Sequence, residues 1–124
     1  MKTLWKKEIE VEAKDVTVCK NVIGSKAPAA ILLNYEDFGY GVFHFEEKSL
    51  EAFKAGLSKI EDNLTRGIIF SNAFMMAREA KMSPDSYISL IVNHIHTEKS
   101  QDILSDAVKL NLPLIAKNYV PHEH

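Results

Sequence analysis

The sequence predicts an α+β fold, an antiparallel β segment followed by an α-helical segment, and two observations carry that expectation. Up to residue 46 the apolar residues alternate with polar ones or form short runs, and beyond it they recur at helical spacing. Turn-forming residues gather at "NVIGSKAP" and again at "NYEDFG", where corners between strands are expected. The chain of 124 residues is enough for one ordinary domain or two small subdomains sharing a core, divided here into 1–46 and 47–124.

The first strand is expected in "LWKKEIEVEA", where Ile9 and Val11 alternate with Glu8, Glu10 and Glu12. "DVTVC" repeats the pattern as a second strand. Gly24, Ser25 and Pro28 then make a loop, with extended backbone leading into Ala29. "AAILLN" and "FGYGVFHF" are the third and fourth strands, separated by a break that holds Asn34, Glu36, Asp37 and Gly39. Those residue types bond to their own backbone or tolerate positive φ, so the break reads as a turn.

From Glu46 the period changes. Leu50, Phe53, Leu57 and Ile60 fall at helical spacing, and Ser49 is placed to cap the first turn. A second helix, capped by Asp62 or Asn63, runs through "LTRGIIFSNAFMMAREAKM" and has a broad apolar face, which predicts a central position. Ser83 as cap and Pro84 at the first helical position open a third helix, with Ile88, Ile91, Val92 and Ile95 on one face. A fourth starts near Gln101; Pro113 lacks an amide donor and should end or kink it, leaving "LIAKNY" as a further short helix.

Composition excludes several classes of function. Fifteen Lys and Arg against seventeen Asp and Glu give a net charge of -2, and no basic stripe with interleaved aromatics is present, so nucleic acid is not an expected partner. The longest apolar runs are far short of the ~20 residues a bilayer span needs, and the charged N-terminus does not read as a signal sequence. The single cysteine, Cys19, cannot form an internal disulfide and reads as a half-buried strand side chain, which suggests a reducing, cytoplasmic compartment.

Candidate chemistry is sparse. His94 and His96 resemble a metal pair, but residues two apart on a helix point to nearly opposite sides, so His94 is read as a polar-face residue and His96 as a helix-end residue. The tail "PHEH" holds His122 and His124 on a chain end, where metal capture would be adventitious. Glu36 and Asp37 are adjacent on a turn and diverge, which favours turn chemistry over acid and base work. Met75, Met76 and Met82 could form an adaptable apolar surface, although core filling is the commoner use. No Gly-x-Ser-x-Gly, phosphate-binding loop or Cys-x-x-Cys occurs.

From Pro28 onward the order of features becomes distinctive: Pro28, the apolar run Ile31 to Asn34, acidic Glu36 and Asp37, aromatic Tyr40, then Glu47, Ser49 and Leu50. It continues in "DNLTRGIIFSNAFMMAREA", with Arg66 and Arg78 in place, and in Glu98 after the next helix. Over residues 5 to 119 this resembles the C-terminal region of the zinc aminopeptidases of the aminopeptidase N family. The resemblance implies the closing strands of a β-sandwich up to about residue 46, followed by the opening helices of a helical domain that caps the catalytic cleft.

It also implies a zinc cofactor and peptide substrates for the parent enzyme, and the remainder of that enzyme as the partner of this piece. The family's His-Glu-x-x-His and Gly-Ala-Met-Glu-Asn segments are absent here, so no catalytic, cofactor or metal residue is carried over. Arg66, Arg78 and Glu98 are expected to make polar contacts between helices or domains. Two other readings stand beside this one. A free-standing interaction module could bind a peptide or partner, or form a homodimer, through exposed strand edges, and an independent hydrolase could use the histidines as a metal site.

Overall fold

The computed structural model describes residues 6–8, 11, 16–37 and 41–121. Five α-helices are formed among them: α1 (Glu47–Gly56), α2 (Asn63–Arg78), α3 (Pro84–Ile95), α4 (Gln101–Leu104) and α5 (Leu112–Tyr119). A π-helix, Ser105–Asn111, joins α4 to α5, and 3-10 turns occupy Lys20–Val22, Tyr35–Asp37 and Leu57–Lys59.

Local signals explain where the helices start. The Asp62 carboxylate accepts the Thr65 amide at 2.8 Å at the head of α2. Ser83 accepts the Ser86 amide at 3.1 Å at the head of α3, where Pro84 supplies a preset φ. Ser100 caps α4 through the Ile103 amide. Ser49 is not a cap: Glu46 holds that position in α1, and Ser49 is fully buried one turn further on.

Helix α2 is central, packing against α3, α4, α5 and the Tyr35–Asp37 turn, while α3 also meets α5. The core unites Phe53 of α1, Leu57 of the 3-10 turn that follows it, Ile69, Ala73 and Met76 of α2, Tyr87, Leu90 and Ile91 of α3, and Ile115 of α5. Each fully buried large aliphatic contributes roughly 1.5–3 kcal/mol of transfer free energy. Phe45 is set edge-on to Phe53 with ring centroids 5.0 Å apart, which anchors the segment before α1 onto the helices.

The expected antiparallel β segment is corrected, because no strand exists among the described residues. Residues 16–19, 29–33 and 42–46 lie outside any helix, and the alternation read from the sequence is real at 30–33. Ala30 and Leu32 pack on the helical core, whereas Ile31 and Leu33 are 40% and 42% exposed. What is missing is a neighbouring strand. The Ile31 amide donates to the Ser49 hydroxyl at 2.8 Å, and the Phe45 amide to the Met76 sulfur at 3.3 Å. Side chains of α1 and α2 thus take donors that a β ladder would use. The first strand's Ile9 and the start of the fourth at Phe38 to Tyr40 lie outside the described residues.

Both expected corners are turns. Gly24, at φ 82°, is the third residue of a turn closed by the Ser25 amide on the Val22 carbonyl, the place in a type II turn that needs positive φ. In "NYEDFG" the backbone is left-handed at Asn34, Glu36 and Asp37, and the Asn34 side-chain amide donates to the Asp37 carboxylate at 3.1 Å. Beyond α4, Pro113 falls in the first turn of α5 instead of breaking the helix. Its ring would crowd the carbonyl four residues back in a regular α-helix. The π-helix immediately before it widens the coil, and the Leu112 amide reaches the Ala107 carbonyl.

Candidate functional site

Two polar junctions flank the central helix. The first is built around Arg66, whose Nε donates to Glu98 Oε2 at 2.9 Å and whose Nη2 donates to Glu98 Oε1 at 3.0 Å. The remaining donors go to the Ile60 carbonyl at 2.6 Å, the Glu61 carbonyl at 2.9 Å and the Asn63 side-chain oxygen. All five guanidinium N–H groups are therefore satisfied, in the planar fork that lysine lacks.

Glu98 Oε1 also accepts the Lys99 and Ser100 amides, each at 2.9 Å. The two side chains are only 12% and 2% exposed. The Arg66 hydrogen bonds hold the Glu98 carboxyl below the usual range, helped by those amides, and Glu98 in turn raises Arg66. This pair fastens the α1–α2 connection to the α3–α4 connection.

Beside it lies a cavity of about 280 Å³. Its wall includes His94, which is 7% exposed and not on the polar face that sequence spacing suggests. The buried stripe of α3 is Tyr87, Leu90, Ile91 and His94, while Val92 is 59% exposed. His94 Nε2 is 2.5 Å from the Lys54 carbonyl, and Nδ1 is 2.5 Å from Ser58 Oγ.

The second junction is a cavity of about 510 Å³ between α2, the "NYEDFG" turn and the α4–π segment. Asn34, Asp37, Asp102, Asp106 and Asn111 contribute polar groups to its lining. Asn72 belongs to the same wall, and its side-chain nitrogen is buried with no hydrogen-bond partner. The Tyr87 hydroxyl is likewise buried, facing the Asn111 side chain without a well-formed hydrogen bond, and burial raises its pKa.

Arg78, the third residue singled out from the sequence, does not join either junction. It lies in the last turn of α2 with its guanidinium 5.6 Å from the Phe74 ring centroid. Glu36 faces Lys6 at 3.7 Å, apart from the Asn34–Asp37 contact, so the two adjacent carboxylates diverge. Met76 and Met82 are core residues, and Met75 lines the larger cavity. His96 is exposed at the end of α3, and both ring nitrogens of His94 are engaged by protein groups.

Among the described residues no group of three or more His, Cys, Asp or Glu side chains is placed to hold a metal ion. The described residues do not fit a zinc site. His122 and His124 lie outside the described residues. Sequence reading missed Ser58, Asn72 and Asn111. Ser58 and His94 are 36 positions apart, and nothing local signals such a pairing.

Over 91 residues, 73% of its length, the chain is 28% identical to aminopeptidase N of Streptomyces lividans. The chain is similar to part of an aminopeptidase. That aligned stretch is 10% of the Streptomyces protein, so the chain spans a small part of the aminopeptidase N it matches. No protein-family model matches the chain, and no solved structure does. Among the described residues no helix is long and apolar enough to cross a membrane.

Proposed function

We propose that this chain is a non-catalytic piece of the C-terminal region of a zinc-dependent aminopeptidase, one whose helices help to wall the peptide-binding cleft. The similarity to aminopeptidase N over 73% of the chain carries this reading. The helical architecture agrees with a cleft-capping helical domain, and the Arg66–Glu98 junction makes it rigid where two connections meet.

The parent would remove N-terminal residues from peptides. Its zinc ligands and general base lie in segments this sequence does not contain, because no His-Glu-x-x-His is present. The partner in this reading is the remainder of the enzyme. The deciding experiment is to detect the endogenous polypeptide with an antibody against this chain and to assay aminoacyl-amide hydrolysis on the captured material. A band several-fold heavier than 14.0 kDa, with chelator-sensitive aminopeptidase activity, is the expected result.

A band at 14.0 kDa without activity would instead favour an interaction module with no enzymatic role.

A further inference from the structure

The Ser58–His94 contact has the parts of an activated nucleophile. A carbonyl oxygen can only accept, so the 2.5 Å contact between His94 Nε2 and the Lys54 carbonyl fixes the ring proton on Nε2. In the neutral imidazole this leaves the Nδ1 lone pair directed at Ser58 Oγ, also 2.5 Å away. The ring is held between α1 and α3 and is nearly buried, while Ser58 sits on the 3-10 turn Leu57–Lys59 and is exposed. Both residues line the 280 Å³ cavity, so a small molecule lying in it would meet the hydroxyl on one side and find the base behind it. A nucleophile, a base within hydrogen-bond reach and a third group orienting the base make up the arrangement that lets a serine react.

We propose that Ser58 is a base-activated hydroxyl that takes an acyl group from small esters. In the step, Ser58 Oγ forms a bond to the carbonyl carbon as its proton passes to His94 Nδ1. The carbon–oxygen bond to the leaving alcohol then breaks, and that alcohol carries away the proton. The products are acyl-Ser58 and the free alcohol. A positioned general base supplies roughly 10²–10⁴-fold, which is enough to single out one serine for covalent modification. Ser89, exposed on α3, is the internal comparison.

The test uses an alkyl fluorophosphonate, which forms an Oγ–P bond and releases fluoride, followed by peptide mapping of the intact chain. Ser58 is expected to label at least about a hundred times faster than Ser89 in the native protein, a preference of the size general-base assistance gives. The preference should disappear in urea and in His94→Gln. Because His94→Gln alters a buried side chain, the native-to-urea comparison on the unaltered chain decides by itself. A native preference below about tenfold is less than general-base assistance provides and would overturn the proposal. So would a preference that survives denaturation, because the reactivity would then not depend on the folded contact with His94.

Discussion

Arg66 grips Glu98 through two parallel hydrogen bonds, 2.9 and 3.0 Å long, across 32 residues of sequence. Breaking a buried pair from one side leaves the other charge uncompensated, which costs about 3–5 kcal/mol. Glu98→Ala should lower the urea unfolding free energy by that amount. Arg66→Lys should recover only a fraction, since one ammonium cannot serve the Ile60 and Glu61 carbonyls and Glu98 together. A loss under about 1 kcal/mol in Glu98→Ala, the level of a surface pair, would show that the pair is solvated in solution.

Acid should weaken the same junction. The folded state holds the Glu98 pKa below its ordinary 4.5, so its contribution is complete above that value and fades as pH falls through the lower folded one. Urea midpoints taken from neutral pH down to about pH 3 should therefore fall for the native sequence, more shallowly for Glu98→Gln. Parallel curves for the two proteins would remove Glu98 from the acid response.

Ser49 ties the extended segment to α1, accepting from the Ile31 amide at 2.8 Å and donating to Glu46 at 3.0 Å. Ser49→Ala leaves that amide without its partner and should cost about 1–3 kcal/mol. Hydrogen exchange at Ile31 should speed up selectively. Unchanged protection there would mean that the segment is held by the packing of Ala30 and Leu32 alone.

Gly67 lies inside α2, where an added Cβ would meet Ile103 side-chain carbons at 3.6 and 3.8 Å, an ordinary contact distance. Alanine removes the entropic disadvantage of glycine in a helix, so Gly67→Ala should stabilise by about 0.5–1 kcal/mol. A lower thermal midpoint would show that α4 must approach α2 more closely than this.

The Tyr87 hydroxyl is buried without a satisfied hydrogen bond. Tyr87→Phe should keep or raise the urea midpoint, whereas removing a properly bonded hydroxyl costs about 1 kcal/mol. A loss of that size would mean the Asn111 amide bonds it after all.

The helices were legible because their signals are local. Ser83 with Pro84, and Asp62 three residues before Thr65, act within one turn of the chain. The apolar period of α3 was legible too, and Ile91 is buried while Ile88 and Ile95 pack against the core as expected, but the centre of the buried face is shifted: Tyr87, Leu90 and His94 are buried beside Ile91, and Val92 is exposed. An i, i+3, i+4, i+7 count from Tyr87 includes His94, and that signal could have found it.

The strand expectation failed for a different reason. Alternation at 30–33 records that one side of an extended chain is buried, and it is silent on whether the covering surface is a sheet or a helix. Here the surface is helical. Arg66 and Glu98 were legible only through family resemblance, and the Ser58–His94 contact through neither route, because it depends on how α1 and α3 are docked.

The π-helix at Ser105–Asn111 also sets an angle. Each residue of an α-helix turns the chain by about 100°, and a wider turn holds an extra residue without that advance. The segment therefore fixes the rotational phase of everything after it. Were all seven residues from 105 to 111 wound as ordinary α-helix, that advance would be added back and α5 would swing around its axis. Ile115, now wholly buried, would then leave the core and an exposed neighbour such as Leu114 or Lys117 would turn toward it. Deleting one residue from the segment would instead let α-helical winding take over with Ile115 still facing the core, so the π-helix is what lets the chain carry one more residue without turning the last helix away from the rest of the molecule.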